Sequence, residues 1–326
     1  MKAFALNRLH TGKFLFKNFC EVLRSDHRRI AHFALLFGFL FLYGCNTGGK
    51  KETSGKFLIQ DDLQRQLRLP GHPRRIISLA PNITEILFAL DADSLVVGVT
   101  DFCDYPKQAQ SRTRVGSFLS PNIEAIVSLS PDVVIMTVEG NTQETFAKLE
   151  ELHVPTFVTN PRSIQGVAQS VSSIGKLIDR EAQAEKFIDS LSLALRETEQ
   201  QPLFRKPRVI MFVSFEPLMV VGGNTFIDEL ITKAGGENIG AMAKGSYPVF
   251  NREEILRQNP EMILIPSDIR IPISVLVQKY PEWKLLHAMQ DENIFFVDAA
   301  ILQRPGPRII EALSILRGIF LTHISH

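Results

Sequence analysis

Two stretches of the chain, 122–135 and 251–264, follow one pattern: Asn-Ile-Glu-Ala-Ile-Val-Ser-Leu-Ser-Pro-Asp-Val-Val-Ile and Asn-Arg-Glu-Glu-Ile-Leu-Arg-Gln-Asn-Pro-Glu-Met-Ile-Leu. Asn, Glu, Ile, Pro and an acid fall at identical offsets in both. Each copy reads as an Asn N-cap, a Glu in the first turn where the helix dipole favours negative charge, a short helix, a Pro stop and a buried strand. One such unit is common and constrains little. Two at matched positions predict lobes related by pseudo-symmetry, with a cleft between them.

From Arg74 onward, β-branched apolar runs alternate with amphipathic stretches. Strands are predicted at 76–79, 95–99, 133–136, 156–158, 209–213, 262–265 and 294–297, with helical stretches between most of them. The fold class is therefore α/β: two three-layer α/β/α lobes with mainly parallel sheets. Residues 164–199 contain no Pro and only Gly166 and Gly175, and Val167, Val171, Ile174, Leu177 and Ile178 recur at helical spacing. They predict one long rigid helix joining the lobes, with Asp179-Arg180 the place for any break. The expected divisions are a leader over 1–44, a flexible tether over 45–73, a first lobe over 74–161, a linker helix over 162–205 and a second lobe over 206–326.

The leader carries seven Lys/Arg against two acids, and Arg28-Arg29 precede a 14-residue apolar run over 30–43. That run is short for a bilayer-spanning helix, which needs ~20 residues, and suits the apolar core of a secretory signal. Its end, Leu42-Tyr43-Gly44-Cys45, resembles a bacterial lipobox, although Tyr43 is bulky for its position. The resemblance implies cleavage before Cys45 and a diacylglycerol on its thiol; an uncleaved anchor or a buried Cys is the competing reading. Residues 46–55 have the polar, Gly-rich composition of a flexible tether. The basic stretch before the apolar run is long for a leader, so translation is expected to start downstream of Met1. Without 1–44 the formal charge moves from +1 to −4. The near-neutral total gives no general attraction to nucleic acid or to an acidic membrane surface; the lipid attachment is what the lipobox resemblance implies.

Three Cys, at 20, 45 and 103, supply neither a disulfide framework nor a Cys-rich zinc site. No Gly-x-Ser-x-Gly, P-loop or Gly-x-Gly-x-x-Gly occurs, and no His-x-x-x-His or His-x-His pair. His153 and His287 read as surface or packing residues, so no metal, cofactor or catalytic residue is expected. Ligands of open α/β sheets bind at the carboxyl ends of strands. The loops predicted there are 80–85, where Asn82 and Glu85 have capping-box spacing, 101–106 with Phe102, Cys103 and Tyr105, 116–120 with Phe118, 215–223, 245–248 with Tyr247, and 303–308 with Arg304 and Arg308. Glu85 is read as a helix cap over a ligand group, and Cys103 as a bystander over a ligand. Aromatics from both lobes meeting in one cleft would suit a large flat ligand; scattered ones would be core.

Residues 75–90, the Asp104-Tyr105-Pro106 loop, the Asn-x-Glu…Pro-acid unit and Arg304-Pro305-Gly306-Pro307-Arg308 resemble the cobalamin-binding component of bacterial ABC importers. More widely they resemble the helical-backbone binding proteins for iron complexes and haem. The likeness runs from about 74 to 322. It implies a periplasmic, lipid-anchored, monomeric solute-binding protein that captures cobalamin or another corrinoid and delivers it to a permease dimer with a cytoplasmic ATPase. A ferric siderophore or haem is the alternative ligand, and an exported enzyme on the same scaffold the remote one. Carried over residue by residue, it implies ligand contacts at Phe102, Tyr105, Phe118, Val138, Tyr247 and Ile301, and permease docking through Glu124 and Glu253. Arg304 and Arg308 are candidates for carboxylate or hydroxamate oxygens of a siderophore, with a structural role equally open for Arg308. Trp283, the sole Trp, is expected outside the cleft.

Overall fold

In the computed structural model residues 57–324 are described, so the leader, Cys45 and the first part of the tether lie outside the described residues. The first two strands fall where the sequence predicts flexible tether. β1 (Phe57–Gln60) and β2 (Gln66–Leu69) form an antiparallel hairpin that corrects that expectation for residues 57–69. Two aspartates account for its order. Asp61, 3% exposed, accepts hydrogen bonds from the Leu63 and Arg65 amides at 3.0 and 2.9 Å, from the Arg65 guanidinium at 2.6 Å and from the Val158 amide at 3.3 Å. Asp62 accepts from the Asn160 amide and the Ser170 hydroxyl at 2.8 and 2.9 Å. Periodicity carries no sign of these long-range partners.

The first lobe runs β3 (Ile76–Ser78), α1 (Pro81–Ala89), β4 (Val96–Val99), β5 (Thr113–Arg114), α2 (Ile123–Ser128), β6 (Val133–Thr137), α3 (Gln143–Glu151), β7 (Thr156–Thr159). Its sheet has the order β5-β4-β3-β6-β7 with every pairing parallel. Next come α4 (Ile164–Leu177) and α5 (Glu181–Gln200). The second lobe follows with β8 (Arg208–Phe215), β9 (Leu218–Val220), α6 (Phe226–Lys233), β10 (Glu237–Asn238), α7 (Arg252–Gln258), β11 (Met262–Pro266), α8 (Ile273–Lys279), α9 (His287–Gln290), β12 (Ile294–Val297), α10 (Ala299–Gln303) and α11 (Ile309–Ile324). Its parallel order is β10-β8-β11-β12, and β9 pairs antiparallel with β8. Each predicted strand is present within a residue or two of its expected bounds. The loop expected over 215–223 is instead largely the turn and return strand β9.

Alternation along the strands decides which core each side chain enters. In β8 and β11, Val209, Met211, Met262 and Leu264 point into one apolar cluster, while Ile210, Phe212, Ile263 and Ile265 point into another. In β3 and β6, Ile76, Val133 and Ile135 join the first of these clusters, and Ile77, Val134 and Met136 a third. Both sheets are thus buried on both faces, as parallel sheets require. One core is common to the two lobes, and each lobe has a second of its own. Trp283 lies in the second lobe's own core, 1% exposed and stacked on Tyr280 with ring centres 4.4 Å apart.

The bridge over 162–205 is two helices and not one, divided at Asp179-Arg180, the place the sequence marked for a break. α4 ends at Leu177, Asp179 takes a left-handed φ of 58°, and α5 packs back against α4. A side chain at Gly175 would meet the Ala184 Cβ at 2.7 Å, so the glycine permits this close approach. α5 then spans 20 residues, about 30 Å, to reach α6 and α11. The Ile164 amide at the start of α4 donates to Glu229 of α6 at 2.8 Å, a second tie between the lobes.

Asp61→Ala leaves buried amides without acceptors, and should cost about 1–3 kcal/mol. Urea denaturation is expected to show that loss, and limited proteolysis to open a site within residues 57–69 that the wild-type protein does not show.

Candidate functional site

The carboxyl ends of β3, β5 and β6 bring three loops together, and Asn141 ties them. Its amide nitrogen donates to the Leu79 and Phe118 carbonyls at 2.9 and 2.8 Å, and its oxygen accepts from the Thr137 amide at 2.8 Å. It sits where the strand order reverses between β3 and β6, the position at which open α/β sheets bind ligands. Nothing local in the sequence singles it out.

The capping-box reading of Asn82 and Glu85 is overturned. α1 has Ala80 at its N-cap with no side-chain cap, and Pro81 opens the helix. Asn82 instead donates to the Pro305 carbonyl of the second lobe at 3.3 Å. Glu85, 2% exposed, accepts from Arg304 at 3.1 Å and from Arg308 at 2.9 and 2.8 Å, one of its oxygens serving both guanidinium groups. Arg304 also donates to Asp104 at 2.6 Å and to the Phe102 carbonyl at 3.4 Å. Arg308 lies 4.4 Å over the Tyr105 ring and donates to the Ala300 carbonyl at 3.1 Å. Burial works to raise the Asp104 carboxyl, but the hydrogen bond and charge of Arg304 outweigh it and hold the group below its ordinary value. Spacing within α1 gave no hint of partners more than two hundred residues away.

Above this ion cluster stand the predicted aromatics. Phe102 and Tyr105 are 49% and 47% exposed, and Phe118 meets Phe102 edge-on at 5.2 Å. Val138 is exposed nearby at the end of β6. In the second lobe Tyr247 is 45% exposed. Burial and then the Glu139 charge of the first lobe raise its phenol above the ordinary value, an electrostatic link between the lobes. Ile301 differs from these, being buried in α10 within the shared core. The Tyr247 loop is seated by backbone: Gly222 donates to Ser246 at 2.9 Å and Val220 to Pro248 at 3.1 Å. A Cβ at Gly222 would overlap the Gly245 carbonyl oxygen, so only glycine allows this seat.

Cys103 is fully buried beneath the loop, its sulfur accepting from Thr84 at 3.1 Å and lying 3.2 Å from the Thr100 hydroxyl. His153 and His287 are exposed, and no cluster of His, Cys, Asp or Glu among the described residues has metal-binding geometry. No helix among the described residues is long and apolar enough to cross a membrane.

The repeated units fold as read. Asn122 caps α2 by accepting from Ala125, and Asn251 caps α7 by accepting from Glu254. Glu124 and Glu253 are exposed in the first turns, and among the described residues neither makes an ion pair. Glu254, beside Glu253, behaves differently. A side-chain hydrogen bond from Arg257 holds it below its ordinary value. Glu124 and Glu253 therefore stand at matching places in the two lobes, in the first turns of α2 and α7, without an ion pair among the described residues.

Residues 76–301 match the family described as periplasmic binding protein. The chain is 25% identical over 296 residues to the uncharacterized ABC transporter substrate-binding lipoprotein YvrC of Bacillus subtilis, covering 86% of this chain and 93% of that one. The structure of the periplasmic vitamin B12 binding protein BtuF of Vibrio cholerae superposes with a TM-score of 0.66 at 25% identity, over 78% of this chain and 99% of that one. The periplasmic heme-binding protein RhuT from Roseiflexus sp. RS-1 shares the fold with a TM-score of 0.70 at 24% identity, over 77% and 99%. Two α/β lobes and a family match that runs across both of them lead to one conclusion: the chain belongs to the periplasmic binding protein family, the solute-binding components of ABC-type transport.

Proposed function

We propose that the chain captures cobalamin or a related corrinoid in the interlobe cleft and hands it to an ABC permease dimer powered by a cytoplasmic ATPase. Lipid on Cys45 would hold it, as a monomer, on the periplasmic side of a membrane. The observation that carries the ligand reading is the exposure of Phe102, Tyr105 and Tyr247 around strand ends of both lobes. Rings that a folded protein ordinarily buries are left to water, as suits stacking on a large flat ligand. The state of Arg304 favours a corrinoid over a siderophore. Its guanidinium already serves Glu85 and Asp104, so its contribution is to hold the Phe102 loop and not to meet an anion directly. Ile301 then supports the cleft floor from within the core, and Phe118 backs Phe102.

Delivery is assigned to Glu124 and Glu253, which stand at matching places in the two lobes, in the first turns of α2 and α7, and make no ion pair among the described residues. Exposed ion pairs contribute only ~0–1 kcal/mol each, so the pair sets orientation on the permease more than affinity.

Isothermal titration should give heat with cyanocobalamin, and Phe102→Ala or Tyr247→Ala should each weaken binding about tenfold, about 1.4 kcal/mol. Heat with hemin or a ferric siderophore in place of cyanocobalamin would transfer the reading to that ligand, and none with any of them would end it. Glu124→Ala combined with Glu253→Ala is expected to leave that titration unchanged while cellular uptake falls; unaltered uptake would remove the docking role. Cys45→Ala should abolish labelling by a fatty-acid analogue and move the protein to the soluble fraction, and persistent labelling would place the lipid elsewhere.

A further inference from the structure

We propose that Glu85 is a positioning residue for the ligand: from the first lobe it fixes two arginines of the second, and these hold the aromatic rim of the first lobe in place. The proposal deepens the ligand reading above and rests on it. The chain of contacts runs across the cleft and back. Glu85 lies on α1, and its carboxylate bridges Arg304 and Arg308 at 2.8–3.1 Å. Arg304 reaches on to Asp104 at 2.6 Å and to the Phe102 carbonyl, and Arg308 covers the Tyr105 ring at 4.4 Å. Phe102, Asp104 and Tyr105 are thus the far end of a path that leaves their own lobe and returns.

Charge makes Glu85 the pivot of this path. Two guanidinium groups sharing one partly buried site repel each other, and the carboxylate between them removes that repulsion while filling its own acceptor positions. Without it the arginines turn toward water and release the rim. The backbone floor of the loop has separate support from its own lobe, where Arg114 donates to the Thr100 and Cys103 carbonyls at 2.6 and 3.0 Å. The loop should therefore keep its fold while its outer part, from Phe102 to Tyr105, opens more often and its rings lose their setting. Asn82 on the Pro305 carbonyl, with Gly306 packed against Asn82, keeps the two lobes in register beside the ions. The effect of Glu85 on the rim is consequently separable from that of lobe docking.

The test compares wild-type mature protein with Glu85→Gln, which keeps the shape and removes the charge, and with Arg308→Lys, which keeps the charge and removes the fork. Hydrogen exchange of the ligand-free protein should show the Cys103 and Asp104 amides opening about tenfold faster in Glu85→Gln, with the β6 amides Val134 and Ile135 unchanged within about twofold. Cyanocobalamin should dissociate about tenfold faster, with association altered less than about twofold. Arg308→Lys should move both readouts the same way by less, and it carries the test if Glu85→Gln does not fold. Unchanged exchange at Cys103 and Asp104, a rise shared equally by β6, or a faster loop with unchanged cyanocobalamin dissociation would each overturn the proposal. Should the wild-type protein take up no cyanocobalamin at all, the ligand reading fails on its own, and the loop exchange alone decides whether Glu85 sets the rim.

Discussion

A carboxylate taken out of water needs partners nearly as strong as those it leaves, and Glu85 finds them only in the other lobe. Removing one member of such a buried pair typically costs about 3–5 kcal/mol, while replacing the whole set with apolar groups is often neutral. The cluster is therefore better understood as a device for fixing geometry than as a source of net stability. It sits at the meeting of α1, the Phe102 loop and the segment between α10 and α11. The cleft cannot change its width there without separating opposite charges.

The strands and the two Asn caps were legible because they depend on local chemistry. A run such as Val133 to Met136 reads as buried strand wherever it occurs, and Asn251 caps its helix through an amide three residues away. The hairpin over 57–69 was not legible, since the acceptors that hold it gain their value from Val158, Asn160 and Ser170, about a hundred residues on. Glu85 shows the same limit more sharply. Its spacing from Asn82 suits a cap, and only the folded chain shows that both side chains have left the helix end for the other lobe. Of the cleft, the aromatic residue types were visible in advance, whereas Ile301 and the seat of Tyr247 on Gly222 depend on packing that no single segment encodes.

A binder with a stiff cleft selects by shape. The ties at Ile164–Glu229, at Asn82–Pro305 and through the arginines are distributed along the lobe boundary, so little free energy of binding is diverted into moving domains. On the ligand reading proposed above, the exposed rings at the rim would be fixed walls for a ligand large enough to touch both sides.

The shared apolar core gives the sequence repeat a further meaning. Each sheet turns one face toward side chains contributed by its own lobe alone, and the other toward a cluster to which both lobes contribute. In a protein made of separate copies that common face would be a subunit interface, dependent on concentration. Here α4 and α5 make it internal, so two sheets that share one core fold as a single chain, and neither half is a complete domain without the other.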